Sequence, residues 1–481
     1  MNSNNLTAGV ARVDITPPIG FRLQGAMRRI EPSTGVESPL LARALVLADE
    51  KTKVVIFDCD LIGVDLPLGD KIRKTVGARL GIPASRVILG CTHTHNGPCT
   101  TRGTIGGPHH AGGKPGEIEI LEAYIETLVH QLEGVAVLAD SQRQPARAAA
   151  GCGEAPGGIH REELLPDGRI VVGQNPSGPK DHSVNVLRVD DLNGKPIAVM
   201  TGYAAHPVVM GYNTRLLSPD FPGVVKRIVE QVTGATCIYL TGAAGNQALT
   251  QFLQDDWGQM ERIGGVIGSE VVKVFYGIET RPHKVIRELG VSLSSIALYH
   301  TEFMDGPTHR CFQAASRQVT VPLRPMPSLE QAEAELAKAT ANLKKLESDN
   351  EPTTKTYPAR MVKIWAEGVV GKLKAGIKQE NKDFEIVGFR LDDFALVGMP
   401  GEPFVEIGLA VKKRSKAKHT QFAGYCNSVI AYWPTADAVR QGTAMSVDAA
   451  LKSYNISAPP VAETVDILVA GFDGLLTELG I

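Results

Sequence analysis

Two histidines one residue apart, His93 and His95, stand in the stretch CTHTHNGPCT (91–100), between Cys91 and Cys99 and ahead of an Asn-Gly-Pro turn. These residue types allow three readings: imidazole ligands for a metal ion, a thiol nucleophile paired with a histidine, or a polar strand end without chemistry. The preceding RVILG reads as a strand. Alternate side chains of a strand share a face, so both imidazoles should point the same way.

Two distant stretches supply what this one lacks. His206 ends the apolar run in GYAAHPVVMG, and Glu402 lies in the turn of VGMPGEPFVEIG. Taken singly, the first reads as a satisfied core histidine and the second as a solvated carboxylate. All three stretches, however, follow a predicted strand at its carboxyl end, where open α/β sheets gather their ligands. Together they offer two histidines and a carboxylate, the set with which catalytic zinc keeps a position open for water. A further stretch, AGYCNSVIAYWPTADAV, carries Tyr425 and Tyr432.

The elements that must position these groups alternate. Short apolar runs at 54–58, 86–90, 197–206, 236–242 and 394–402 predict buried strands. Helical patterns fall at 67–80, 116–138, 222–232 and 256–276. The order predicts the α/β class, with central mixed β-sheets covered by helices. Ser328 and Gln331 form a capping-box pair opening a helix over 328–349. A second helix near 357–377 completes a helical hairpin insertion at 328–377, read as a surface cover without chemistry. The Gly- and Pro-rich 101–116, with His109, His110 and Lys114, is long enough to shape a pocket with a polar mouth.

Composition excludes other classes. Fifty basic against 52 acidic residues give a net charge of -2, without the basic excess that nucleic-acid binding needs. The seven cysteines include no CxxC pair, which argues against a disulfide framework or a cysteine zinc site. No run approaches the roughly 18 apolar residues of a membrane span. The N-terminus has no signal-peptide pattern. The expectation is a cytoplasmic protein with a small-molecule substrate.

The series AGVARVDITPP, THTHNGP, GIHR, YAAHP, SPDFPG, LTGAAGN, MPGEPF and AYWPT resembles, in order and spacing, the catalytic domain of the neutral (alkaline, non-lysosomal) ceramidase family. The resemblance covers nearly the whole chain and implies one catalytic domain over 5–481. It implies one zinc ion per chain, held by His93, His206, Glu402 and Tyr432, with His95 near the substrate. It also implies Arg161 as an active-site arginine, next to His160 where the family has asparagine, and Asp220 as a substrate-side acid. The chain departs from the family in two places. The segment 241–250 lacks the family's serine, and QGTAMS (441–446) lacks its second tyrosine. With the sequence ending at Ile481, the expectation is a catalytic domain without the family's C-terminal β-sandwich. These departures point away from ceramide and towards a small polar substrate.

The chemistry implied is hydrolysis of an amide or ester by zinc-activated water. His95 would carry the proton transfers, and Arg161 would meet the oxyanion or a polar substrate group. The small residues from Gly242 to Asn246 would let backbone N–H groups approach the substrate. Asp60, at another strand end, would orient a histidine. The alternatives are a cysteine hydrolase built on Cys91 or Cys99, a metal-dependent lactonase or lyase, and a ceramidase-like scaffold that binds without catalysing.

Overall fold

The computed structural model describes residues 5–481 apart from 26–28, 30, 103–114, 292–293 and 444–448. His109, His110 and Lys114 therefore lie outside the described residues. An eight-stranded mixed sheet runs in the order Thr236–Tyr239, Pro196–Thr201, Ser183–Asp191, Gln144–Glu154, Thr7–Asp14, Leu41–Ala48, Lys53–Cys59, Val87–Cys91. A four-stranded sheet, Phe312–Pro322, Asn381–Leu391, Phe394–Gly398 and His419–Ala423, packs against it. Alternation decides which side chains meet. Leu45, Leu47, Ile56 and Ile88 face Val387, Phe389 and Leu396 of the second sheet. Their neighbours Ala44, Val46 and Phe57 turn outward under the helices Leu66–Leu80 and Pro115–Ser141.

Helices Phe221–Thr233 and Trp257–Tyr276 cover the other end of the large sheet, and Val405–Arg414 with Thr464–Glu478 covers the small one. The predicted class and its helices are present. Sheets stacked between helical layers bury most strands on both faces, which is why their runs read as continuously apolar.

Three parallel pairs are set among antiparallel neighbours: 53–59 with 87–91, 196–201 with 236–239, and 394–398 with 419–423. Their carboxyl ends meet. The Thr241 hydroxyl donates to Thr92 O at 2.7 Å, Gly424 N donates to Thr241 O, and Asn427 N donates to Leu89 O. Three strands end earlier than the apolar runs suggest, at Thr201, Tyr239 and Gly398, while Val87–Cys91 ends one residue past its run. The polar residues beyond those ends form irregular turns around one point.

The hairpin helices are Leu329–Ser348, with the Ser328–Gln331 capping box formed, and Thr353–Lys374. The second helix is more than a cover, because its Tyr357 and Met361 reach the cavity described next. Among the described residues no helix is long and apolar enough to cross a membrane.

Candidate metal and active site

His93 and His95 do not sit on a strand. The strand stops at Cys91, and His93 takes a left-handed conformation, φ 66°, that a non-glycine residue adopts only when its surroundings hold it there. This turn, rather than strand alternation, brings the two rings together. His93 Nε2 lies 3.2 Å from His206 Nε2 and 3.3 Å from His95 Nε2.

The opposite nitrogens explain the arrangement. His93 Nδ1 lies 2.6 Å from Ile62 O, His206 Nδ1 2.6 Å from Ala244 O, and His95 Nδ1 3.1 Å from Gly25 O. A carbonyl only accepts, so each Nδ1 carries the proton and each Nε2 presents a lone pair. Three lone pairs facing one point repel unless a cation occupies it. Carbonyl-oriented imidazoles of this kind are characteristic of metal-ligating histidines. Gly25 is required here, because a Cβ at its φ of +98° would stand 2.4 Å from the His95 ring.

Glu402 closes the set. Its Oε2 lies 3.0 Å from His206 Nε2 and 3.4 Å from His93 Nε2. It is delivered by a short parallel pairing in which Glu402 is directly opposite Tyr432. The fully buried Trp433, whose indole donates to Pro400 O at 2.8 Å, anchors that pairing. Burial first, then Arg161, bring His206 down to about 3. Burial and the two neighbouring histidines lower His95 well below its ordinary value. Both rings are therefore neutral at pH 7, as ligands or bases must be. Nitrogen and oxygen donors without thiolate fit zinc.

Arg161 is buried beside this group. It donates through Nη2 to Gly245 O at 2.7 Å and to Tyr432 Oη at 3.2 Å, and that nitrogen lies 3.2 Å from His206 Nε2. The Tyr425 ring lies over His93 with centroids 4.1 Å apart. Tyr454 donates a short hydrogen bond to Glu402 Oε1. No tyrosine stands in 441–446, where the family resemblance places one, and Tyr454 is the residue that reaches Glu402. It follows Ser453 at the end of a short helix, and nothing in the local pattern LKSYN marks it.

The remaining expected residues fall elsewhere. Asp60 does not orient a histidine: Lys226 Nζ lies 2.5 Å from its Oδ1, and Leu41 N donates to its Oδ2. Backbone carbonyls do the orienting instead. The 242–246 turn also differs from expectation. Gly242 N is spent on Tyr203 O and Gly245 N on Pro403 O, so the turn presents carbonyls to His206 and Arg161 rather than N–H groups to a substrate. A Cβ on Gly245 would come within 2.5 Å of Glu402 O, so glycine permits that close approach. Asn246, fully buried, accepts from Val405 N at 2.8 Å and donates to Glu406. Asp220, fully buried, accepts from Phe221 N and Met210 N, ordering the segment that ends in the cavity wall. Neither side chain lines the cavity.

That cavity, of about 330 Å³, opens over His93, His95, Arg161, Glu402, Tyr432 and Tyr454. Cys99 also lines it, but burial pushes that thiol up to about 12. Burial raises Cys91 as well, next to Cys426, and Cys91 does not reach the cavity. A protonated, buried thiol is not a nucleophile, which removes the support for a cysteine hydrolase.

No protein-family model matches this chain. Neutral ceramidase B of Dictyostelium discoideum is 25% identical over 226 residues, covering 44% of this chain. The match spans 30% of that relative's length. The structure of neutral ceramidase from Pseudomonas aeruginosa is similar over 99% of this chain and 75% of its own, with 18% identity and a TM-score of 0.67. A ceramidase complexed with C2 is similar over the same shares, with 16% identity and a TM-score of 0.65. The chain has the neutral-ceramidase fold.

Proposed function

We propose that this protein is a zinc-dependent hydrolase, one catalytic domain over 5–481, that cleaves an amide (N-acyl) or ester bond of a small substrate. The observation that carries this reading is the convergence of three carbonyl-oriented imidazoles and a buried carboxylate at the floor of a cavity. The names of the similar proteins support amide chemistry. A cavity of about 330 Å³ is at the small end of ligand pockets and favours a compact substrate.

His93, His206 and Glu402 would hold the ion, with the Tyr432 hydroxyl beside Glu402 as fourth donor. His93 and His206 are 1% and 0% exposed, and Glu402 bridges them. His95 makes no such contact with Glu402 and is on the open side, half-buried and lining the cavity. When bound, zinc supplies polarisation of a carbonyl and acidification of water to a pKa of about 7. His95, neutral at pH 7, takes the proton of the attacking water at Nε2 and returns it to the leaving nitrogen or oxygen. The Gly25 carbonyl at Nδ1 stabilises the imidazolium formed between those steps. Arg161 holds a fixed positive charge where the carbonyl oxygen turns negative. Tyr357 and Met361 narrow the cavity against bulk water.

The test is amine release from short N-acyl amides and alcohol release from the matching esters. Chelator treatment should abolish activity and zinc should restore it. Undiminished turnover by protein shown to be metal-free would sink the proposal.

A further inference from the structure

The cavity holds a buried cation that no carboxylate among the described residues pairs with directly. Arg29, 5% exposed, lines the cavity beside His95. Its Nη1 donates to Asn96 Oδ1 at 2.8 Å, Gly211 O at 3.2 Å and Thr214 O at 3.3 Å. Its Nη2 donates to Gln24 O and to His95 O. Every one of these acceptors is neutral, and Nε is buried with no partner. Among the described residues no carboxylate is within ion-pair distance of it. Asp255 acts from farther away and spends both its oxygens on Gly211 and Asn213. Elsewhere buried cations are matched: Arg43 with Glu230, Arg73 with Glu385, Lys226 with Asp58 and Asp60. A buried charge left unpaired is costly, and an anion entering the cavity would offset that cost. Burial brings the Arg29 guanidinium down to about 10, so it stays charged at pH 7.

The rest of the cavity agrees. Among the described lining residues, three arginines, Arg22, Arg29 and Arg161, stand against one carboxylate, Glu402, and of the three Arg22 is ion-paired, with Glu117. The opposite walls are apolar, formed by Val208, Met210, Phe252, Leu253, Tyr357 and Met361. The one unbonded N–H, Nε, has no exposed surface in this conformation, so an anion reaches it by displacing a neighbour, and a single donor suits a carboxylate better than a phosphate, which calls for several. Because Nη2 holds the His95 carbonyl, the anionic subsite adjoins the reacting centre.

From this geometry we infer that the substrate is an N-acyl amino acid, its carboxylate recognised by Arg29 and its acyl chain lying on the apolar wall. The inference rests on the hydrolase reading for the bond that breaks. Water adds to the acyl carbon, the C–N bond breaks, and a fatty acid and a free amino acid leave.

The test compares N-octanoylglycine with its carboxamide on the zinc-loaded full chain. The acid should be cleaved with a kcat/KM at least about tenfold higher. Arg29→Gln also releases the His95 carbonyl, so both compounds should slow, but the preference for the acid over the carboxamide should shrink at least about tenfold, and Arg29→Lys should recover part of that preference. Equal kcat/KM for the two compounds in the wild type would overturn the inference, whether or not the variants fold. Equal losses on both compounds in Arg29→Gln would also overturn it, by making Arg29 structural. Calorimetry separates this inference from the hydrolase reading. If neither compound is cleaved, the hydrolase reading fails, yet tighter binding of the acid than the carboxamide, lost in Arg29→Gln, still supports the subsite. Equal binding rejects it.

Discussion

Stripped of metal, the protein should lose stability in mild acid, chiefly through His206. Burial, with Arg161 3.2 Å away, brings this imidazole from 6.5 down to about 3, against the pull of Glu402. In the unfolded chain the same group titrates near 6.5. Between the two values the unfolded state binds the extra proton, so stability rises with pH across this window and falls as the solution is acidified. Each pH unit inside the window is worth about 1.4 kcal/mol, so going from pH 7 to pH 5 costs about 2 kcal/mol at His206 alone. His95, shifted in the same direction, adds to the loss. The assay is the urea midpoint of metal-free protein at both pH values, beside His206→Gln. The variant should be less sensitive to acid by about 2 kcal/mol. Identical pH slopes would refute the claim that the site holds His206 neutral. Adding zinc to about 100 times its Kd should raise stability by about 2.7 kcal/mol at pH 7.

Three further outcomes follow from single contacts. Gly25→Ala drives a Cβ into the His95 ring, and turnover should fall about 10–100-fold with zinc retained; loss of zinc instead would make His95 a ligand. Tyr454→Phe removes the hydroxyl donated to Glu402, and competition titration should show zinc affinity weakened about 10–100-fold with the fold intact; unchanged affinity would make Tyr454 a packing residue only. Iodoacetamide should label the exposed Cys152 of native protein without inactivating it, and inactivation that tracks labelling of Cys91 or Cys99 would revive the thiol mechanism.

Much of this site was legible because its residues follow apolar strands whose pattern is easy to read. His93, His95, His206, Glu402 and Tyr432 each come after such a run or in a turn fixed by Pro and Gly, and the structure brings all five together. What the sequence hid depends on contacts between distant segments. Tyr454 reaches Glu402 across 52 positions, and the orienting carbonyls of Ile62, Ala244 and Gly25 leave no trace in residue type. Asp60 departs from expectation because a carboxylate at a strand end looks the same in sequence whether it serves a histidine or, as here, a buried lysine. The helix Thr353–Lys374 was legible as a helix but not as a cavity wall, since only packing decides what Tyr357 and Met361 face.

The central claim is that the convergent imidazoles exist to hold a metal ion, and metal content tests it most directly. Protein purified without chelators and offered zinc should carry about one ion per chain by plasma mass spectrometry, and His206→Ala should carry none. His95→Ala should keep the ion while losing turnover. Absence of metal from the wild type under those conditions, or full occupancy in His206→Ala, would contradict the account.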